Sequence, residues 1–150
     1  MTIGELCNRD VVVTTQEETL EDAAKRMRMC HVGDLVVVEE REGQRIPIGI
    51  LTDRDIVLSV VALNAARIPT LVVGDVMSCE LVTGYTRESV ASALKRMQAH
   101  GVRRLPIVNE AGALVGIVTA DDIIRFLSDE LSDVAKLIGH ERAHEQQYRM

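Results

Sequence analysis

The chain has 150 residues, which is enough for one compact domain or for two small ones that share a core. Apolar residues make up 47% of it, so a sizeable core can form, but with no Trp and one Phe that core must be built from aliphatic side chains and Met. A net charge of -6 argues against broad binding to nucleic acid or to a membrane surface, because both favour a basic chain.

The cysteines and the N-terminus bear on the compartment. Cys7, Cys30 and Cys79 form no C-x-x-C pair, and such thiols are more typical of a reducing compartment than of disulfides. The start M-T-I-G-E-L-C lacks the basic and apolar regions of a signal peptide. The longest apolar-rich run, 56–66, is too short to span a bilayer. We therefore expect a soluble, cytoplasmic protein that binds no membrane.

An internal repeat organises the chain. The eight residues G-I-L-T-D-R-D-I at 49–56 return at 116–123 as G-I-V-T-A-D-D-I. A shift of 70 residues also aligns the A-x-K-R-M runs upstream of these motifs, and the loop between is three residues shorter in the second copy. Such self-similarity indicates a tandem duplication, with units at about 3–68 and 73–128.

The first unit is predicted to have the order β-α-β-β-α. An extended segment at 11–13 precedes a helix that begins after Thr19, and a polar turn separates strands at 34–39 and 46–51. A second helix is expected at about 53–63. The apolar face of the first helix has the spacing i, i+3, i+4 and i+7: Leu20, Ala23, Ala24 and Met27.

The second unit repeats this order. Its extended segment is 81–83, its first helix begins after Ser89, its strands are 105–109 and 114–118, and its last helix begins near Ala120. The first helix has the same apolar spacing: Val90, Ala93, Leu94 and Met97. A small sheet with helices on one side leaves its other face exposed. We therefore expect an α/β fold in which the two units pack sheet to sheet about a pseudo-two-fold axis.

A tail at 129–150 follows the duplication. Its apolar residues continue at helical spacing to about Gly139, and the polar segment beyond is expected to fray. The run H-E-R-A-H at 140–144 matches the zinc-peptidase pattern H-E-x-x-H, but no distant third ligand accompanies it. A solvated helix face is the better interpretation. The sequence therefore predicts no metal site and no catalytic residue.

The Thr and Asp of the repeated motif allow two interpretations. Thr52 with Asp55, and Thr119 with Asp122, have the spacing of a capping box, in which each side chain bonds the other residue's backbone N–H. The second interpretation is a ligand site, because a carboxylate at a strand-to-helix junction can accept two hydrogen bonds from a sugar diol. The two roles are compatible.

These motifs resemble a known family. The runs G-D-V-M at 74–77, V-R-R-L-P-I-V at 102–108 and G-I-V-T-A-D-D at 116–122 resemble the CBS domain, and two ordered copies resemble a stand-alone bacterial CBS pair, or Bateman module. The resemblance covers about 3–128 and leaves no room for a catalytic domain. It implies a non-enzymatic regulatory or sensor protein, without a cofactor other than its regulatory ligand.

The resemblance also implies a ligand and its contacts. CBS pairs bind adenosine-containing molecules such as AMP, ADP, ATP or S-adenosylmethionine between their repeats. The motif Asp would bind the ribose, the Thr the ribose or phosphate, arginines the phosphate, and the extended segments with the strand before the Thr the adenine. The candidate ligand-binding residues are Thr52, Arg54, Asp55, Thr83, Tyr85, Arg103, Arg104, Ile117, Thr119 and Asp122.

The two units differ at one place in this pattern. Where the second has Arg103-Arg104, the first has Gly33-Asp34, and a carboxylate there would repel a phosphate. We therefore expect one stronger cleft that combines Arg104 with Asp122. Since the sequence does not fix which repeat supplies each wall, a cleft that combines Arg104 with Asp55 is the alternative.

The remaining choice is between a sensor and an assembly protein. A sensor would bind the nucleotide and change its contacts with a protein target that the sequence does not identify. A structural or interaction protein with vestigial sites would act through its helices, and the apolar run 56–63 predicts a homodimer in either case. Paired arginines at 103–104 favour the sensor, because an assembly protein has no need of them there.

Overall fold

The structure is a computed structural model that describes residues 1–148. It divides into two compact units that do not coincide with the two sequence repeats. The larger unit is Met1–Val118, and the second unit begins at Thr119. The larger unit holds both sheets except for the last residue of the final strand, and the second unit is almost entirely one helix.

The first repeat begins with a short helix and contains one sheet. Its elements are α1 (Ile3–Leu6), β1 (Val13–Thr14), α2 (Leu20–Cys30), β2 (Asp34–Arg41), β3 (Gln44–Thr52) and α3 (Asp53–Ile56). A π-helical turn (Val57–Val61), α4 (Ala62–Asn64) and a 3₁₀ segment (Ala65–Thr70) follow.

The second repeat has the same order. Its elements are α5 (Val73–Val76), β4 (Gly84–Tyr85), α6 (Val90–His100), β5 (Arg104–Val108), β6 (Leu114–Thr119) and α7 (Ala120–Tyr148). The predicted α/β fold of two β-α-β-β-α repeats with a C-terminal helix is confirmed.

Each repeat forms a mixed three-stranded sheet, in the orders β1-β2-β3 and β4-β5-β6. The first strand of each sheet lies parallel to the second, and β2 runs antiparallel to β3. In the first sheet this register places Asp34 directly opposite Thr52. The strands β2 and β3 are longer than predicted, so the polar turn between them is reduced to Glu42 and Gly43.

The predicted helix caps are present. The hydroxyl of Thr19 accepts a hydrogen bond from the Asp22 amide at 3.2 Å, and that of Ser89 accepts one from the Ser92 amide at 3.1 Å. The predicted faces of α2 and α6 are buried except at the third apolar position. Leu94 is exposed there and Ala24 is partly buried.

The prediction of one regular α-helix at 53–63 is wrong. A π-helical turn interrupts it, in which the amide of Ala62 donates to the carbonyl of Val57. The sequence V-L-S-V-V is rich in β-branched residues, which crowd the preceding helical turn. Val60, which lies in this turn, belongs to the core and is only 4% exposed.

The two repeats exchange their leading segments. The amide of Ile3, in the first repeat, donates to the carbonyl of Glu88 in the second at 2.7 Å. At the equivalent place the amide of Val73 donates to the carbonyl of Glu18 at 2.9 Å. Each repeat is therefore completed by backbone that precedes the other repeat, as a pseudo-two-fold arrangement requires.

A second pair of equivalent contacts closes the exchange. Asn8 and Ile117 share two backbone hydrogen bonds, both of 2.9 Å. Ser78 and Ile50 share two as well, of 2.9 and 3.1 Å. The residues of one pair correspond to those of the other under the sequence repeat, so the crossing segments are fixed twice over.

The first glycine of the repeated motif is explained by this crossing. A β-carbon on Gly49 would lie 2.5 Å from the carbonyl oxygen of Ser78, and one on Gly116 would lie 2.7 Å from that of Asn8. Only a residue without a side chain lets the crossing backbone approach so closely. The motif therefore begins with Gly for a structural reason.

The helix α7 belongs to the second unit and differs from its prediction. It continues without a break through Tyr148, beyond the end expected near Gly139. Exposed apolar residues recur along it at spacings of three and four: Ile124, Leu127, Leu131, Val134 and Ile138. The polar segment H-E-R-A-H-E-Q-Q, which was expected to fray, is part of this helix, in line with the helical propensity of its residues.

Replacing Gly49 by Ala is expected to destabilise the protein by about 1–3 kcal/mol, the cost typical of overpacking, because its new methyl group would collide with the Ser78 carbonyl. The matched control is Gly139→Ala in α7, where a β-carbon meets nothing within 4 Å and helix propensity favours Ala. Urea denaturation measures both variants. Equal stability of Gly49→Ala and wild type would contradict the account of the crossing.

Candidate functional site

Both Thr/Asp pairs of the repeated motif form capping boxes. The hydroxyl of Thr52 accepts a hydrogen bond from the Asp55 amide, and the Asp55 carboxylate accepts one from the Thr52 amide, both at 3.0 Å. In the second unit, Thr119 and Asp122 make the same two bonds at 2.9 and 3.2 Å. The capping interpretation is confirmed. In Asp55 the cap engages Oδ2, so a ligand hydroxyl would bind Oδ1.

A cleft in the larger unit brings the two repeats together around one of these caps. It has a volume of about 210 Å³. Its lining residues are Ile50, Thr52, Ser78, Glu80, Leu81, Val82, Val102, Arg103 and Arg104. The first repeat supplies the end of β3, and the second supplies the segment before β4 and the start of β5.

The exchanged segments build this cleft. The two hydrogen bonds between Ile50 and Ser78 hold the segment from Ser78 onward against β3, which sets one wall beside the other. Apolar Ile50, Leu81 and Val82 line it together with several polar and charged residues. Small-molecule sites commonly combine apolar walls with a few polar groups in this way.

Of the two groupings considered from the sequence, the cleft contains the second. Arg104 lines it together with Thr52, and Thr52 is bonded to Asp55. The expectation that Arg104 shares its cleft with Asp122 is therefore replaced by a grouping with Asp55. The reason is the crossing at Ser78, which brings the start of the second repeat onto the strand that ends at Thr52.

Arg104 forms an ion pair with Asp34. Its Nε lies 2.9 Å from Asp34 Oδ1, and the Asp34 side chain is only 14% exposed. The two residues occupy equivalent positions in the two repeats, so the pair lies where the repeats meet. The cation that pairs with Asp34 therefore comes from the other repeat.

Burial raises the pKa of Asp34. Loss of solvation is the largest cause, the positive charge of Arg104 opposes it, and the negative charge of Asp53 adds to it. Asp53 lies next to this site because its amide donates to the Gly33 carbonyl at 2.9 Å. The carboxylate of Asp34 therefore depends on Arg104 as its main compensation.

Two candidate residues, Thr83 and Tyr85, follow Val82 of the cleft wall in the sequence and contact Arg96. The guanidinium of Arg96 donates to the Thr83 carbonyl at 3.0 Å and lies 5.4 Å from the centre of the Tyr85 ring. Arg96 also pairs with Glu88 at 2.7 Å, and the Glu88 side chain is only 6% exposed. Arg96, which is 30% exposed, thereby connects Glu88 to the segment that follows the cleft wall. Thr83 and Tyr85 are not among the lining residues.

The other candidates are placed as follows. Arg54 lies exposed on α3. Ile117 lies in β6 and pairs with Asn8. Neither lines the cleft. Sequence reasoning missed Ser78 and Glu80, which do line it. Their signal was their position directly after G-D-V-M, which is the segment that crosses to the first repeat.

The sequence matches the family model of the CBS domain over residues 3–62 and 73–129, which is most of the chain. The chain belongs to the CBS-domain family. Its two matches coincide with the two repeats, so this protein is a CBS pair.

Two curated proteins are similar to this chain over most of its length. The chain is 38% identical to the uncharacterized protein MK0525 of Methanopyrus kandleri over 125 residues, which cover 83% of the chain but only 62% of that protein. It is also 38% identical to the CBS domain-containing protein YhcV of Bacillus subtilis over 136 residues, which cover 89% of the chain and 92% of YhcV.

Two solved CBS structures share the fold. Hypoxic Response Protein I, crystallised with two coordinated zinc ions, is 33% identical, with a TM-score of 0.70 over 83% of this chain and 98% of that one. The curated protein of that name is from Mycobacterium tuberculosis. The CBS pair of MJ0100, in complex with 5-methylthioadenosine and S-adenosyl-L-methionine, is 20% identical, with a TM-score of 0.71 over 85% and 99%.

Within residues 1–148, no group of three or more His, Cys, Asp or Glu is arranged to hold a metal ion. Over the same residues, every helix is too short or too polar to cross a membrane.

Replacing Asp34 by Asn is expected to raise the melting temperature slightly at neutral pH. Because burial raises the pKa of Asp34, the ionised carboxylate destabilises the folded protein. This destabilisation is complete at pH values above the folded-state pKa and absent below the unfolded-state pKa. The neutral amide avoids this loss. The advantage of the variant should therefore shrink as the pH falls toward the ordinary Asp value of 3.8.

The matching change on the partner should act in the opposite direction. Arg104→Gln leaves the buried carboxylate without its cation, so the melting temperature should fall at neutral pH. Thermal unfolding followed by circular dichroism measures both variants across this pH range. A large loss of stability in Asp34→Asn at neutral pH would show that pairing outweighs burial.

Proposed function

We propose that this CBS pair is a non-enzymatic regulatory module that binds an adenosine-containing ligand in the cleft between its repeats. The observation that carries the proposal is the composition of the cleft, which is lined by the helix-capping Thr52 from one repeat, by two arginines from the other and by apolar residues of both. Membership of the CBS family supports the ligand class.

Each part of such a ligand has a matching part of the cleft. The adenine ring would lie against the apolar side chains of Ile50, Leu81 and Val82. The ribose hydroxyls would meet the Thr52 hydroxyl and the second carboxylate oxygen of Asp55. A carboxylate is the strongest neutral-pH acceptor for a diol.

Regulation follows from the shared construction of the site. Since the two repeats supply opposite walls, a ligand that contacts both stabilises one relative arrangement of their backbones. A protein target that distinguishes this arrangement from the empty one would sense the ligand. No catalytic group is needed for such a role.

Binding and the role of Asp55 can be tested together. Asp55→Asn is expected to weaken adenosine or AMP binding about tenfold, because it removes a charge-assisted hydrogen bond to the ribose while the amide oxygen still caps Thr52. The measurement is calorimetric titration of the purified protein.

The matched control for this test is Asp75→Asn. Asp75 accepts a hydrogen bond from the Val72 amide at 3.0 Å, the same capping geometry, but it is not among the lining residues of the cleft. We expect its affinity to equal that of wild type. Equal losses in both variants would mean that the caps act only through stability, and no binding by wild type would refute the proposed function.

An assembly role is the second candidate, and exposed apolar residues favour it. The π-helical turn leaves Val57, Leu58 and Val61 about half exposed, at 52%, 50% and 46%. Such a cluster on one turn is typical of a contact surface. We propose that the protein is a homodimer in which this turn is buried, whether or not the cleft binds a ligand.

Light scattering at micromolar protein concentration should give the mass of a dimer. Leu58→Glu places a charge in the contact and is expected to shift the mass toward the monomer. Met29→Glu is the control, because Met29 is an apolar residue that is 80% exposed on a different helix, α2. A monomeric wild type, or an equal effect of both variants, would exclude this surface.

A further inference from the structure

Arg104 is already engaged before any ligand arrives. It lines the cleft, yet its guanidinium is held at 2.9 Å by the carboxylate of Asp34. Asp34 stands opposite Thr52 in the sheet, so the acidic group is also next to the polar end of the cleft. A phosphate that approaches Arg104 therefore meets the negative charge of the Asp34 carboxylate.

Further acidic groups surround this end of the cleft. Glu80 lines it, Asp55 is bonded to Thr52, and Asp53 lies close enough to raise the pKa of Asp34. The basic group left to receive a ligand is Arg103, which is exposed and lines the cleft. One arginine suits one phosphate group, whereas a chain of two or three phosphates brings more negative charge than it can balance.

We propose that Asp34 is a specificity-determining residue, through which the cleft accepts an adenine nucleoside with at most one phosphate and disfavours a polyphosphate. The inference rests on the proposed function and adds the charge class of its ligand. A polyphosphate that drew Arg104 away from Asp34 would leave a carboxylate of only 14% exposure without its cation.

The electrostatics of Asp34 agree with this role. Its pKa is raised although Arg104 is in contact, so the ionised group has little solvent to replace that arginine. The exchange of Asp34 for a ligand phosphate on Arg104 is therefore unfavourable, and each further phosphate adds repulsion from the acidic groups.

The test is the affinity of adenosine, AMP, ADP and ATP for wild type and Asp34→Asn, measured by calorimetric titration in one buffer without divalent metal. For wild type we expect ATP to bind at least about tenfold more weakly than adenosine. Asp34→Asn frees Arg104 and removes a negative charge, so its affinity for ATP should rise about tenfold or more while that for adenosine stays the same.

The matched control is Glu39→Gln. Glu39 is an acidic residue on the same strand, β2, and pairs with Arg41 away from the cleft. It changes the net charge by the same amount, so its ATP-to-adenosine ratio should remain that of wild type. Asp34→Ser, also neutral, repeats the measurement should the Asn variant fail to fold.

The outcomes separate the two proposals. If wild type binds ATP as tightly as adenosine, or if Asp34→Asn leaves the ratio of these two affinities unchanged, the role of Asp34 is refuted and the proposed function stands. An equal change in Glu39→Gln would likewise refute it, since the effect would then be one of net charge. If wild type binds none of the four molecules, the proposed function itself fails.

Discussion

The backbone hydrogen bonds that cross between the repeats are the interaction on which the rest of the larger unit depends. Asn8 with Ile117, and Ser78 with Ile50, make the same pair of bonds on either side of the molecule. They require a glycine beneath each crossing, and they carry the start of the second repeat onto the last strand of the first. The cleft exists because of this placement, since neither repeat supplies both of its walls.

Symmetry ends at one ion pair. Where a faithful duplication would bring two like residues together, this chain has Asp34 against Arg104. Two arginines at that distance would repel each other, whereas an acid and a base attract. The same substitution that makes the junction of the repeats favourable also alters the charge of the adjoining cleft, so the packing of the repeats and the choice of ligand depend on one position.

The sequence predicted what local signals determine, including the duplication, the caps at Thr19 and Ser89, and the capping boxes of the motif. It did not predict the pairing of Asp34 with Arg104, and it left the grouping of Arg104 with the Thr52–Asp55 cap as one of two alternatives, because both depend on the long-range crossing of the leading segments. The prediction of a regular helix at 53–63 failed for a local reason. The segment V-L-S-V-V is rich in β-branched valines, and hydrophobic periodicity does not detect the crowding that they cause in a helix.

The exchange of leading segments has a consequence for the linkage of the repeats. A chain with a single repeat would have to make the bonds of Ile3 and Glu88 with a second molecule, and its folding would then depend on protein concentration. Joining the repeats through 62–72 turns that encounter into a reaction within one molecule, at an effective concentration fixed by the connection. A cut in this connection should therefore convert a concentration-independent unfolding transition into one that shifts with dilution.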